Sequence, residues 1–248
     1  MHPPKLEANL AQPLIQRLNA LRPLSEQGIA LLQQAIRESV RRAGPGEDIA
    51  GEGDPVASVR IVLSGWMCRY KTLEDGRRQI VGFILPGDTC DACVYLLSSM
   101  DHSISALTTV TYAEISRTAV EKLLASDRSV AEALWCETMV NSAVQREWTI
   151  NIGRRSALER VAHLLCEVHE RLLPVGLIED DGCAFPVTQM DLADATGLSV
   201  VHVNRTLQEL RASGVIALRD RMLRINDLTA LKDTALFSSS YLHTKRHG

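Results

Sequence analysis

Apolar positions change texture along the 248 residues. Between 13 and 40 they recur at helical spacing, as Leu14, Leu18, Leu21, Ile29, Leu32 and Ile36, with breaks expected at Pro23 and Gly28. After Arg41 and Arg42, Gly44, Pro45, Gly46, Gly51, Gly53 and Pro55 cut the chain into short pieces. Runs at 58–63, 65–71 and 77–85 read as strands, and 103–109 and 111–115 continue the pattern. Asp75-Gly76 lies between the second and third runs, a pair that favours a tight hairpin turn. Short strands separated by Gly and Pro predict a sandwich or jelly roll.

From Arg117 the texture is helical again. Val120, Leu123 and Leu124 predict a short helix. The stretch 129–152 has neither Gly nor Pro and carries Val130, Leu134, Trp135, Met139, Val140, Val144, Trp148 and Ile152. These cover more than one face, which suits a helix buried by its own domain and by a second copy of itself. A central core helix of a monomer would show the same pattern. Gly153, Arg154 and Arg155 mark a boundary. Ala157, Leu158, Val161, Leu164, Leu165, Val168 and Leu172 then form one stripe, with Glu159, Arg160, His163, Glu167 and Arg171 opposite. Pro174 and Gly176 end that helix, and an acidic turn at 179–182 follows.

The stretch 186–210, PVTQMDLADATGLSVVHVNRTLQEL, reads as two helices and a tight turn. Thr188 can cap the first with Asp191 three residues on, Gly197 breaks it, and Ser199 caps the second. Val203, Leu207 and Leu210 form a buried stripe, leaving Val200, Val201, His202, Asn204, Arg205 and Gln208 facing out. A helix with one buried face and outward Asn, Arg and Gln suits a major groove. A helical hairpin inside an enzyme would look similar, but 214–218, 219–221 and 222–225 follow as strand, turn and strand. Arg205, Arg211, Arg219, Arg221 and Arg224 gather there against Glu209 and Asp220, a surface fit for phosphates.

Net charge is −3, so nucleic-acid binding has to come from this local patch and not from the chain as a whole. Hydrophobic content of 46% supports a substantial core. No apolar run approaches the roughly 18 residues of a membrane helix, and the N-terminal residues lack a signal-peptide core. The expected compartment is the cytoplasm. There the cysteines at 68, 90, 93, 136, 166 and 183 do not form a disulfide framework, and Cys136 and Cys166 are expected as small core residues.

The order of parts resembles the Crp–Fnr family of bacterial transcription regulators over roughly residues 14 to 228. The matching segments are 157–165 (ALERVAHLL), 188–193 (TQMDLA), 197–199 (GLS) and 201–207 (VHVNRTL), with Pro86-Gly87-Asp88 like the turn after the family's central hairpin. The resemblance implies an α+β chain: a β-roll (jelly-roll, cyclic-nucleotide-binding-like) domain at 1–125, a dimerisation helix at 126–153, a winged helix-turn-helix domain at 154–228 with the motif near 188–210, and a tail at 229–248 expected to fray from Ser238. It implies a non-enzymatic homodimer on a pseudo-palindromic DNA duplex, with RNA polymerase as a further partner. The recognition helix spans 199–211. The family's base-contacting positions fall on Val200, Val201, Asn204 and Arg205, and Thr188, Gln189, Ser199, His202 and Arg221 complete the candidate DNA-contacting set.

At the sensor end the stretch 86–104 has no arginine or lysine, which speaks against a cyclic nucleotide because a buried phosphate diester would lack its cation. No cysteine precedes Cys68, which speaks against an N-terminal iron–sulfur cluster. Cys90 and Cys93, with His102 nearby, are candidates for a redox or metal sensor. A cysteine-based redox protein using Cys90 and Cys93 is the alternative function, although the surrounding strands do not provide a thioredoxin-like setting.

Overall fold

Pro23 separates two helices, α1 (Gln12–Leu21) and α2 (Glu26–Arg37), in a computed structural model that describes residues 10–90 and 96–244. Ser25 caps α2, its hydroxyl accepting the Gly28 N–H at 2.8 Å. Gly28 is thus inside a helix and does not break one. A Cβ there would lie 2.8 Å from Val130 Cγ2, so close packing explains the glycine.

The chain divides into two units. The first takes the residues up to 69 together with 83–142. One sheet runs β1 (Val40–Ala43), β8 (Val110–Ser116), β3 (Ser58–Ser64), β6 (Thr89–Cys90), and another runs β2 (Asp48–Ala50), β7 (Ser103–Ala106), β4 (Met67–Thr72), β5 (Arg78–Ile84). The pairs β1–β8, β3–β8, β3–β6 and β2–β7 are antiparallel. Strand side chains alternate, so each sheet offers one apolar face. Val59, Ile61, Ile104, Ala113 and Ile115 from those faces share one core with Leu14, Leu18, Leu32 and Ile36 of the first two helices. Val120 and Leu123 of α3 (Arg117–Ser126) and Val130 and Leu134 of α4 (Arg128–Arg154) complete it. This is the β-roll expected from the strand pattern. The turn at Asp75-Gly76 forms as predicted, with Gly76 at φ +85° and the Leu73 N–H bonded to Arg77 O at 2.9 Å. β1, β2 and β6 were not foreseen, since two to four residues are too few to show a period.

The second unit holds 70–82 and 143–243. It contains the end of α4, α5 (Ala157–Leu172), β9 (Gly182–Ala184), α6 (Gln189–Thr196), α7 (Val200–Ala212), β10 (Ile216–Arg219), β11 (Met222–Ile225) and α8 (Leu228–Ala235). α4 continues through Gly153, and Ser156 then opens α5 with a capping box to Glu159. β9 joins the wing strands in the order β10-β11-β9. The wing turn places Asp220 at φ +50° and Arg221 at φ +60°, the paired left-handed geometry of a tight hairpin.

Two expectations fail here. The tail does not fray from Ser238: a 3-10 turn at Ser239–Leu242 follows α8, and Leu231, Ala235 and Leu242 are fully buried. The polar side of α5 does not face water either, because His163, Glu167, Glu170 and Arg171 are all buried. The chain's last described residues explain both. The Phe237 and Tyr241 rings lie 5.0 and 6.1 Å from the His163 ring, covering the side of α5 expected to be solvated. Burial, with the Arg155 cation nearby, pushes His163 down to about 3, so its ring is neutral at pH 7. Glu167 accepts from Trp148 Nε1 at 3.0 Å, Arg171 Nη1 at 3.1 Å and Tyr241 Oη at 2.9 Å.

Removing that acceptor takes one hydrogen bond from each of Trp148, Arg171 and Tyr241. Glu167→Ala is expected to cost about 3–5 kcal/mol of unfolding free energy by chemical denaturation, while Tyr241→Phe, which deletes one hydrogen bond, costs about 1 kcal/mol.

Candidate nucleic-acid interface

The two helices at the centre of the site are set by local chemistry. Thr188 and Asp191 form the predicted capping box at the start of α6: Asp191 N–H donates to Thr188 Oγ1 at 3.1 Å, and Thr188 N–H donates to Asp191 Oδ2 at 3.1 Å. Gly197 ends α6 in the left-handed region at φ +64°. Ser199 Oγ accepts the His202 N–H at 3.2 Å and starts α7. Arg160 of α5 secures the junction by donating to the carbonyls of Thr196 (2.6 Å), Ile152 (2.8 Å) and Arg155 (3.0 Å). These are carbonyls at the ends of α6 and α4 that no helix bond satisfies.

Val203, Leu207 and Leu210 are buried as predicted, and Thr206 joins them. Val201 is 70% exposed, and His202, Arg205 and Gln208 are exposed beside it. Val200 and Asn204 are half-buried. Asn204 Nδ2 donates to Gln189 Oε1 at 3.1 Å, linking the first residue of α6 to α7. Thr188, Ser199 and Arg221 are exposed. An open cleft between α6, α7 and the wing brings Gln189 and Arg221 together and adds Arg211 and Arg219, which were read only as part of a basic patch. Every member of the candidate set therefore sits on α6, α7, the turn between them, or the wing.

One contributor has no local signal. Arg78, in the 70–82 segment of this same unit, donates to Asp191 Oδ1 at 2.7 Å and Asp194 Oδ2 at 2.8 Å, and Gln79 Nε2 donates to Asp194 O at 2.6 Å. A single guanidinium so compensates both carboxylates of α6. The pairing spans more than a hundred residues of sequence, and no periodicity could point to it.

Comparison with known proteins agrees with this architecture. A Crp-like helix-turn-helix domain model matches residues 159–234, and a cyclic nucleotide-binding domain model matches residues 40–127. The chain is 34% identical over 173 residues to the nitrogen fixation regulation protein FixK of Bradyrhizobium diazoefficiens, covering 70% of this chain and 72% of that protein. The chain belongs to the Crp–Fnr family of transcription regulators. A second relative is the transcriptional activator protein FnrL of Cereibacter sphaeroides, 29% identical over 77% of each chain. The solved structure of FixK2 from Bradyrhizobium japonicum superposes with a TM-score of 0.72 at 28% identity, covering 81% of this chain and 98% of that one. Phe237 and Tyr241 lie beyond the segment that the helix-turn-helix model matches.

In the β-roll of this Crp–Fnr regulator, Cys90 is 2% exposed in β6, and Cys93 lies outside the described residues. His102 is 8% exposed, with Nδ1 2.7 Å from Asp101. Among the described residues no three His, Cys, Asp or Glu side chains converge as a metal site would require. Cys166 is a buried core residue, as expected, with its thiol pushed up to about 12 by burial, whereas Cys136 is only half-buried. The 86–104 stretch has no cation of its own, but two reach it in the fold. Arg69 donates to Thr89 O at 3.0 Å, and Arg17 Nε approaches Asp88 Oδ1 to 3.5 Å, so both cations arrive from other elements.

Arg78→Ala removes the guanidinium shared by Asp191 and Asp194 on the first helix of the helix-turn-helix. We expect a loss of about 1 kcal/mol in DNA affinity at low salt, the scale for a partly exposed pair, shrinking as salt rises. Fluorescence anisotropy on a labelled duplex at two salt concentrations checks it.

Proposed function

We propose that this regulator binds a pseudo-palindromic DNA duplex as a homodimer in the cytoplasm, that α7 enters the major groove, and that contact with RNA polymerase converts binding into transcriptional control. The observation that carries the reading is the outward face of α7. Its Val203, Leu207 and Leu210 are buried, while Val201 and Arg205 stand bare at its DNA-facing end. Thr188, Gln189, Ser199, His202, Arg211 and Arg221 surround that face and reach phosphates, which position the protein without reading sequence. Arg205 reads a guanine, and Val200 and Val201, which cannot form bidentate bonds, pack on thymine methyls.

The dimer rests on a second observation. Trp135, Met139 and Ile150 of α4 are 56%, 63% and 48% exposed. At about 3.6 residues per turn they share one stripe with Ser142, Arg146 and Gly153, all exposed. Large apolar side chains left bare along one stripe suit helix–helix pairing with a second copy. No helix of the described residues is long and apolar enough to cross a membrane. The β-roll receives the signal; Cys90 and Cys93 supply the alternative reading of a thiol-based input.

Arg205→Ala should weaken the selected site by about 1–3 kcal/mol and relax one base position; a binding-site selection returning the wild-type motif would remove Arg205 from the reading role. Trp135→Asp with Met139→Asp should shift the protein from dimer to monomer in light scattering. The same variant should lose its preference for a two-half-site duplex over a single half-site.

A further inference from the structure

The β-roll contains a buried ionisable cluster that DNA recognition does not use. Glu137 of α4 is fully buried, and its carboxyl accepts the Thr89 N–H at 2.9 Å and the Thr89 hydroxyl at 3.0 Å. Asp88, next in the chain, is 3% exposed, and its Oδ2 accepts the Leu85 N–H at 2.7 Å. Arg17 of α1 is 1% exposed; its Nε lies 3.5 Å from Asp88 Oδ1, and none of its three guanidinium nitrogens makes a hydrogen bond. Arg69 of β4 reaches the cluster through Thr89 O. A buried guanidinium with its donors idle costs free energy and calls for an explanation.

We propose that Glu137, Thr89, Asp88 and Arg17 form a proton-responsive joint between α4 and the turn that carries Asp88. Protonated, Glu137 and the Thr89 hydroxyl satisfy one another, because a hydroxyl can donate or accept, and Arg17 rests beside Asp88. When Glu137 releases its proton to water, a second carboxylate stands beside Asp88 in a dry interior. Arg17 can then turn toward it without breaking a hydrogen bond, loosening its hold on Asp88. The joint thus has two arrangements of one set of side chains, the requirement for a switch. Burial first, and then the Asp88 charge, raise the Glu137 carboxyl to about 7 against the Arg17 attraction and the Thr89 bonds. Because the folded value lies above the ordinary 4.5, the folded state is favoured most below 4.5. That preference is lost as pH rises toward about 7.

The test uses the full-length protein. Infrared difference spectra of the wild type should show the carbonyl band of a buried protonated carboxyl vanishing with a midpoint near pH 7, and Glu137→Gln should lack that change. Hydrogen exchange, corrected for intrinsic rates, should show protection at 86–90 falling over the same interval in the wild type only. A wild type with no such titration, or a glutamine variant that titrates identically, overturns the joint; the infrared arm needs no variant to fold. A consequence for DNA rests on the function proposed above: affinity for a selected duplex should change across that interval by about fivefold or more beyond any change in Glu137→Gln. Equal pH dependence in both proteins overturns the switch. No binding at any pH would defeat the DNA-binding proposal instead, leaving the infrared titration to decide the joint.

Discussion

A helix buried on every side has to satisfy its polar side chains from within, and α5 imposes that demand on everything around it. Glu167, with no exposure, draws in Trp148 from α4, Arg171 from its own next turn and Tyr241 from the 3-10 turn. Glu170 draws Lys232 from α8, and Glu147 of α4 receives Arg155 at 2.6 Å. Beside these pairings, α7 lays Val203, Leu207 and Leu210 into the helix domain's core. An amphipathic helix anchored this way keeps its other face bare. The face of α7 proposed to meet DNA follows from how α5 is packed, and Arg160 of α5 holds the end of α6 by donating to Thr196 O.

The parts legible in the sequence were those whose cause is local. Ser199, Gly197 and the 203/207/210 spacing lie within fourteen residues, and together they specify α7 and the turn before it. Asp75-Gly76 between two apolar runs specified a hairpin for the same reason. The rule that failed on α5 also shows why. Apolar spacing reveals which face of a helix is buried, but the opposite face is solvated only if nothing later in the chain covers it. Phe237 and Tyr241, some seventy residues beyond His163, cover it here. Gly28 misled in a related way, since its lack of a side chain serves a contact with Val130 and not a bend.

The same distance effect governs the arginines. Arg17, Arg69 and Arg78 each act on residues far along the chain: Arg17 on Asp88, Arg69 on Thr89, and Arg78 on Asp191 and Asp194. A scan of one stretch for its own cations cannot see them, which is why the 86–104 segment looked devoid of positive charge. Burial concentrates such pairings, because an interior guanidinium is tolerated only beside acceptors. Acidic turns and caps elsewhere in the chain therefore act as addresses for these long side chains.

Charge and base reading divide unequally over the interface. The chain carries −3 overall, yet Arg205, Arg211, Arg219, Arg221 and Arg224 crowd α7 and the wing, and Arg78 compensates the two aspartates of α6. That supplies attraction to any duplex without choosing among sequences. Choice has to come from groups that meet base edges. Asn204 has already committed an N–H to Gln189, and Val200 and Val201 have no polar group to offer. Among the described residues Arg205 makes no hydrogen bond or ion pair and retains its full fork of donors. On the proposed reading, polar discrimination is concentrated in one side chain per protomer, and the rest of the half-site is read by apolar contact and by the shape of the duplex. Specificity built on so few bidentate contacts depends on two half-sites being engaged at once. The bare Trp135, Met139 and Ile150 stripe would then be as much a part of sequence recognition as α7.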